Sequence, residues 1–178
     1  RYFGLAGARQ KAKDCGYTGA MYPWEAAWMT DVECCPAFAE TGRYEHHITG
    51  DVVQAIFYYT AATGDRTFLE KYGYEIIFST AKYWTSRVHY NEALDRYEIL
   101  DTIGPDENRE HIDNNAFTNY IAYLNLDYAV RCYDALAQQN PDRLNELLAR
   151  SEAQGMRAEF EKVRDKLYLP RENEDGIV

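Results

Sequence analysis

Apolar residues recur at helical spacing through most of this chain, and only around Val88–Leu100 does the spacing become that of strands. Ile77, Ala81, Trp84 and Val88 follow one another at intervals of four, three and four, an amphipathic stripe that predicts a helix over 73–87. The same reading predicts helices over 5–15, 49–63, 114–138, 142–153 and 156–167, with a short helical turn at 66–72 leading into the 73–87 helix. Gly16, Gly64-Asp65 and Asn140-Pro141-Asp142 supply the stops and restarts. Val52, Ile56 and Tyr59 share a face of the second helix, with Val53 and Phe57 beside them. Phe117, Ile121, Leu124, Tyr128 and Cys132 share a face of the long one. Val88-His89-Tyr90 and Arg96–Leu100, joined by a polar loop, predict one β-hairpin. The expected fold class is therefore all-α with one small β-hairpin.

Two segments follow neither period. One runs from Gly16 to about Tyr44 and carries Trp24 and Trp28 among Gly19, Pro23, Pro36 and Gly42. The other is Asp101–Asp113, with five carboxylates: Asp101, Asp106, Glu107, Glu110 and Asp113. A long irregular stretch inside a compact domain is usually functional. Stacked antiparallel helix pairs would bring both segments to a common end.

Charge narrows the chemistry. With 19 Lys+Arg against 29 Asp+Glu the net charge is −10, and no basic run exists to follow a phosphate backbone, so nucleic acid is an unsuitable partner. No stretch of 18 apolar residues predicts a membrane span, and Arg1-Tyr2-Phe3-Gly4-Leu5 lacks the apolar core of a signal peptide. The chain does not start with Met and is expected to be cut from something longer, with a cytoplasmic parent. Cys15, Cys34, Cys35 and Cys132 have no zinc-like spacing and are expected as reduced, buried thiols. His46, His47, His89 and His111 are also poorly spaced for a metal, with His46 and His47 on different sides of a helix. No metal site is predicted. Walker A, dinucleotide-binding and nucleophile-elbow motifs are missing too. Helix charges such as Asp51 and Glu70 are expected on a solvated face.

The 15% aromatic content, mostly Tyr, suits sugar stacking, but by itself it points first to packed helix interfaces. Crowded carboxylates in 101–113 would raise the pKa of one of them, which a general acid needs, and Gly104-Pro105 would hold Asp106 and Glu107. The alternative is a solvated acidic loop, with Asp113 or Asn114 capping the next helix. Tyr22-Pro23-Trp24-Glu25 joins a stacking plate to a hydroxyl acceptor, or else anchors a loop and starts a helix.

Together these segments resemble glycoside hydrolase family 65, the inverting α-glucoside phosphorylases acting on maltose, trehalose, kojibiose and nigerose, with a few hydrolases. The matching stretches are Gly7–Ala12, Gly16–Glu25, Ile103-Gly104-Pro105-Asp106-Glu107, Asp113–Asn119 and Lys166–Pro170. The resemblance implies that 1–178 is part of an (α/α)6 barrel, without the family's N-terminal β-sandwich, early barrel helices and C-terminal phosphate-binding part. It implies Glu107 as general acid, with Tyr22, Trp24, Glu25, Asp106, Arg109, His111 and Asn115 around the substrate, and residues 25–36 as the acceptor-sugar loop. The implied reaction is phosphorolysis of an α-linked glucose disaccharide to β-glucose 1-phosphate and a sugar, with inorganic phosphate as co-substrate and no cofactor. An α-glucoside hydrolase and a non-catalytic sugar-binding or scaffold module are the alternatives. A homodimer of the longer parent stays open as an assembly, and the isolated chain is expected to be inactive and to expose apolar faces. Asn108 and Arg109 replace the family's aromatic-His pair after the acid, and His111 suits a kojibiose-type member. The reading requires the Glu107 carboxyl to hold its proton and face a sugar-sized hollow shared with Trp24.

Overall fold

A computed structural model describes residues 4–27 and 32–176. Trp28 and the middle of the expected acceptor loop lie outside the described residues, as does the start of the chain. Among the described residues eight α-helices and one hairpin follow in order: α1 (Leu5–Asp14), α2 (Thr41–Tyr44), α3 (Ile48–Thr63), α4 (Arg66–Phe68), α5 (Tyr74–Arg87), β1 (His89–Asn91), β2 (Arg96–Glu98), α6 (Ala116–Gln139), α7 (Pro141–Arg150) and α8 (Arg157–Lys166). The protein is mostly helical with one small antiparallel hairpin, as the periodicity predicts.

α5 is the central element. Ile76, Ile77, Phe78, Ala81, Tyr83 and Trp84 are all buried, and α1, α3, α6, α7 and α8 pack around it. A helix surrounded on every side has no polar face to spare, so its polar groups find internal partners. The Trp84 indole N–H donates to Asn125 Oδ1 at 3.0 Å, and Tyr83 hydrogen-bonds His46 Nδ1. Burial holds His46 well below the usual histidine pKa, so it packs there as a neutral ring.

The local signals explain most boundaries. Gly64, at φ +70°, closes α3, and Asp65 caps α4 by accepting from Thr67 N–H at 2.8 Å. Asn115 caps α6 and Asn140 caps α7, with Pro141 at its first turn. β1 pairs with β2 with Tyr90 opposite Tyr97. Leu167 then lies alongside Tyr97, where Tyr168 N–H donates to the Tyr97 carbonyl at 2.8 Å.

The turn at 66–72 does lead into the next helix, since a π-helical turn over Leu69–Gly73 carries α4 into α5 without a break. Several expectations need correction. α6 packs against α3, α5 and α8 at once, so one stripe does not describe its burial: Ile121 is 3% exposed but Phe117 is 43% exposed. On α3, Val52, Val53 and Ile56 are buried while Phe57 and Tyr59 turn outward. Together with Ile48 and Phe68, the outer side of α3 lines an apolar groove of about 540 Å³. The thiols are free, but Cys15 and Cys34 are exposed rather than buried, since both sit in loops.

Candidate active site

The two irregular segments meet. Ile103 N–H donates to the Tyr44 carbonyl at 3.1 Å, which fastens the 101–113 loop to the chain between α2 and α3. Thr102 and Ile112 exchange backbone hydrogen bonds at 3.0 and 2.8 Å and so close the neck of that loop. The Arg87 guanidinium reaches the carbonyls of Leu100 and Asp101, holding the loop's start against α5. On the other side, Trp24 packs edge-on against His47 with ring centroids 6.0 Å apart, and Phe117 does the same from α6 at 5.2 Å. His47 is thus the point where the Trp24 segment, α3 and α6 converge.

Glu45 lies beneath this point. Its side chain is 0% exposed, and Oε2 stands 3.0 Å from His47 Nε2. His47 Nδ1 in turn stands 2.7 Å from Asp51 Oδ2, so Asp51 joins the cluster rather than a purely solvated face. Glu107 is exposed, and its carboxyl lies within hydrogen-bonding reach of Glu45. Burial pushes the Glu45 carboxyl up to about 7; His47 pulls it back and Glu107 raises it. The carboxyl lifted by its surroundings is therefore Glu45, which lies outside the acidic loop. Within that loop the acids separate. Asp101 takes His111, Asp106 takes Asn108, and Asp113 accepts from the Asp101 N–H at 2.9 Å.

The remaining predicted site residues fall into three groups. Trp24 is half-buried and Glu25 is exposed, and their backbone N–H groups donate to the two oxygens of Glu33 at 2.8 and 3.0 Å. Tyr22 is 1% exposed, so its ring belongs to the core and not to a surface that a sugar reaches. Asp106 accepts from the Asn108 backbone and side chain at 3.1 and 3.0 Å, and its carbonyl takes the Arg109 N–H. Asp106 thus shapes the turn that carries Glu107, with Arg109 exposed beside it. Asn115 accepts from Thr118 N–H at 3.0 Å as the cap of α6, and its amide fills the space that a side chain at Gly104 would need.

His111 is exposed and bridges two loops, with Nδ1 2.6 Å from Asp101 and Nε2 3.2 Å from Glu40. The hydrogen bond to Asp101 raises its pKa above the usual value. Glu40, Asp101, His111 and Asn114 all have positive φ, a conformation that non-glycine residues adopt at a cost, and they crowd around this loop neck. Glu40, Glu110 and His111 are, among the described residues, the trio whose potential ligand atoms come within 4.8 Å of one another; all three lie at the surface.

The sequence reading missed Glu45, His47, Asp51 and Phe117 as site residues, and Glu33 as the tie of the Trp24 loop. A buried carboxylate leaves no mark in a helical period. The available cue was the polar run Tyr44-Glu45-His46-His47 at the start of an otherwise apolar helix.

A family model described as the glycosyl hydrolase family 65 central catalytic domain matches residues 1–178. The chain belongs to this family. A kojibiose phosphorylase from Halothermothrix orenii is 42% identical over 191 residues, spanning all of this chain and 24% of that protein. A kojibiose hydrolase from Flavobacterium johnsoniae is 46% identical over 136 residues, covering 76% of this chain and 20% of the relative. A solved structure from the human microbiome, named as a candidate kojibiose phosphorylase, superposes with a TM-score of 0.85 at 23% identity, over 98% of this chain and 22% of its own. That likeness concerns the fold. The family 65 chain spans about a quarter of the length of the curated relatives it matches. No helix among the described residues is long and apolar enough to cross a membrane.

Proposed function

We propose that this chain forms the acid-bearing part of an (α/α)6 catalytic barrel in an inverting α-glucoside phosphorylase of family 65. The observation that supports it is the convergence of Glu107, the buried Glu45–His47 pair and the Trp24 and Phe117 rings where the two irregular segments meet. Glu107 is the general acid. Its proton passes to the glycosidic oxygen as the C1–O bond breaks and the bonding pair goes to that oxygen. A phosphate oxygen bonds to C1 from the opposite face, giving β-glucose 1-phosphate and a free sugar, and solvent replaces the proton on Glu107. The half-buried Trp24 and the exposed Phe117 offer apolar ring surface to a pyranose. Glu25, Arg109 and His111 offer charged and hydrogen-bonding groups around it, while Tyr22, Asp106 and Asn115 act from behind by fixing the loops. The reaction uses inorganic phosphate as co-substrate and no metal or organic cofactor. Four free thiols fit a cytoplasmic setting.

A second reading, an inverting α-glucoside hydrolase, is favoured by the kinship with a kojibiose hydrolase. The complete protein carrying this chain, incubated with kojibiose, maltose, nigerose or trehalose, separates the readings. Phosphate-dependent β-glucose 1-phosphate is the expected product, and phosphate-independent glucose would favour the hydrolase. Unchanged turnover in Glu107→Gln would leave only a sugar-binding or scaffold role.

A further inference from the structure

Glu45 has no part in the mechanism above, yet its placement is costly. A carboxyl this deeply buried is ordinarily paired or uncharged. Oε2 has His47 as a partner, and Asp51 fixes the far side of that imidazole. Oε1 is buried and has no hydrogen-bond donor among the described residues. The group within reach of Glu45 that could supply one is the Glu107 carboxyl. Two carboxylates side by side repel, whereas a carboxyl and a carboxylate share a short, strong hydrogen bond. A buried oxygen lacking a donor, next to an acid able to bring one, are complementary halves of a single contact.

We propose that Glu45 is a positioning residue: its unpartnered Oε1 shares one proton with the Glu107 carboxyl, and so holds that carboxyl aimed until a sugar oxygen takes the proton. This rests on Glu107 being the general acid. His47 and Glu107 are the titratable groups that act on Glu45, with Asp51 behind His47. On the opposite side of the segment His46 faces Tyr83, with Arg87 and Lys11 as cations acting on it. The upward shift of Glu45 comes first from its burial, with Glu107 adding to it against the pull of His47. Glu45 is fully enclosed, so it is expected to act on kcat and leave KM unchanged.

The test compares Glu45→Gln and Glu107→Gln in the complete protein, on the disaccharide that it turns over. Glu45→Gln is expected to move the alkaline limb of the kcat/KM profile about one pH unit toward acid, which is about a tenfold loss at neutral pH, with KM retained. If Glu107→Gln abolishes turnover while Glu45→Gln leaves limb and kcat unmoved, the positioning role is overturned and the acid assignment stands. If Glu107→Gln turns over normally, the acid assignment itself fails. Should Glu45→Gln not fold, infrared titration of the protonated carboxyl in the wild type and in Glu107→Gln decides the matter. A midpoint that drops in Glu107→Gln supports a shared proton, and equal midpoints overturn it.

Discussion

Lys11 on α1 places its ammonium 2.6 Å from Glu33 Oε2, joining the first helix to the far end of the Trp24 loop. The same carboxylate accepts from the backbone N–H groups of Trp24, Glu25 and Cys35, so one side chain closes the loop on itself. Burial raises the Glu33 pKa and is the largest single effect. The Lys11 contact and the backbone donors together outweigh it, and the carboxyl sits below its ordinary 4.5. A depressed carboxyl contributes stability above its unfolded pKa and loses it as pH falls. Glu33→Gln is therefore expected to cost about 2 kcal/mol at pH 7, with the gap to the wild type closing below about pH 4.5. Chemical denaturation at pH 7 and pH 3.5 measures this, and limited proteolysis reads the loosened loop around Trp24.

Glu45 should show the opposite sign. Its folded pKa lies at about 7 against an ordinary 4.5, so the folded state holds a proton that the unfolded chain releases. The stability contributed by that proton is complete below about pH 4.5 and lost as pH rises to about 7. Relative to the wild type, Glu45→Gln should gain on the order of 2 kcal/mol between pH 4.5 and pH 8, because glutamine keeps an acceptor for His47 without a buried charge. Melting temperatures of both proteins at the two pH values check it. A difference that does not change with pH would mean that Glu45 is not the carboxyl holding the proton.

What the sequence made legible follows from where each signal resides. Helix stops were readable because Gly64, Asn140 and Pro141 act within their own turn. The hairpin was readable because Tyr90 and Tyr97 lie in strands joined by a short loop. The convergence of two irregular loops was also readable, since antiparallel helices return to common ends. The identity of the shifted carboxyl was not: five acids close in sequence look crowded, yet Asp101, Asp106 and Asp113 each turn to a different partner. Glu45 comes to Glu107 through the hydrogen bond between Tyr44 and Ile103, a contact across 59 positions. Asn115, expected beside the substrate, caps α6, and Asn119 donates to the Tyr168 carbonyl at 2.7 Å.

The Trp84–Asn125 hydrogen bond offers a test of core specificity. Both side chains are at most 1% exposed, and the contact joins α5 to α6. Asn125→Leu leaves the indole N–H without a partner in a place water does not reach. A loss of about 1–3 kcal/mol is expected. Trp84→Phe alone strands the asparagine oxygen at a similar cost. The double variant strands neither, so its loss should fall short of the sum of the single losses by on the order of 1 kcal/mol. Additive losses in urea denaturation would show that the contact is geometrically present but energetically idle.

Gly19 marks the closest approach of the Trp24 segment to α5. Its backbone has φ +76°, and a Cβ there would stand 2.3 Å from the Ser79 carbonyl oxygen and 2.4 Å from the Tyr83 nitrogen. Both obstacles are helix backbone and cannot swing aside. Ala20 N–H donates to the same Ser79 carbonyl at 2.9 Å, so lifting the segment to admit a methyl group breaks that bond. It also uncovers Ala20 and Met21, both 0% exposed. Gly64 has a similar φ of +70° but nothing within 4 Å of its would-be Cβ. Gly64→Ala should therefore cost only the backbone strain, about 1 kcal/mol. Gly19→Ala adds the clash and the lost burial, and is expected to cost more than about 3 kcal/mol. Thermal melts of the two variants side by side separate strain from packing, and equal losses would mean that the segment does not press against α5.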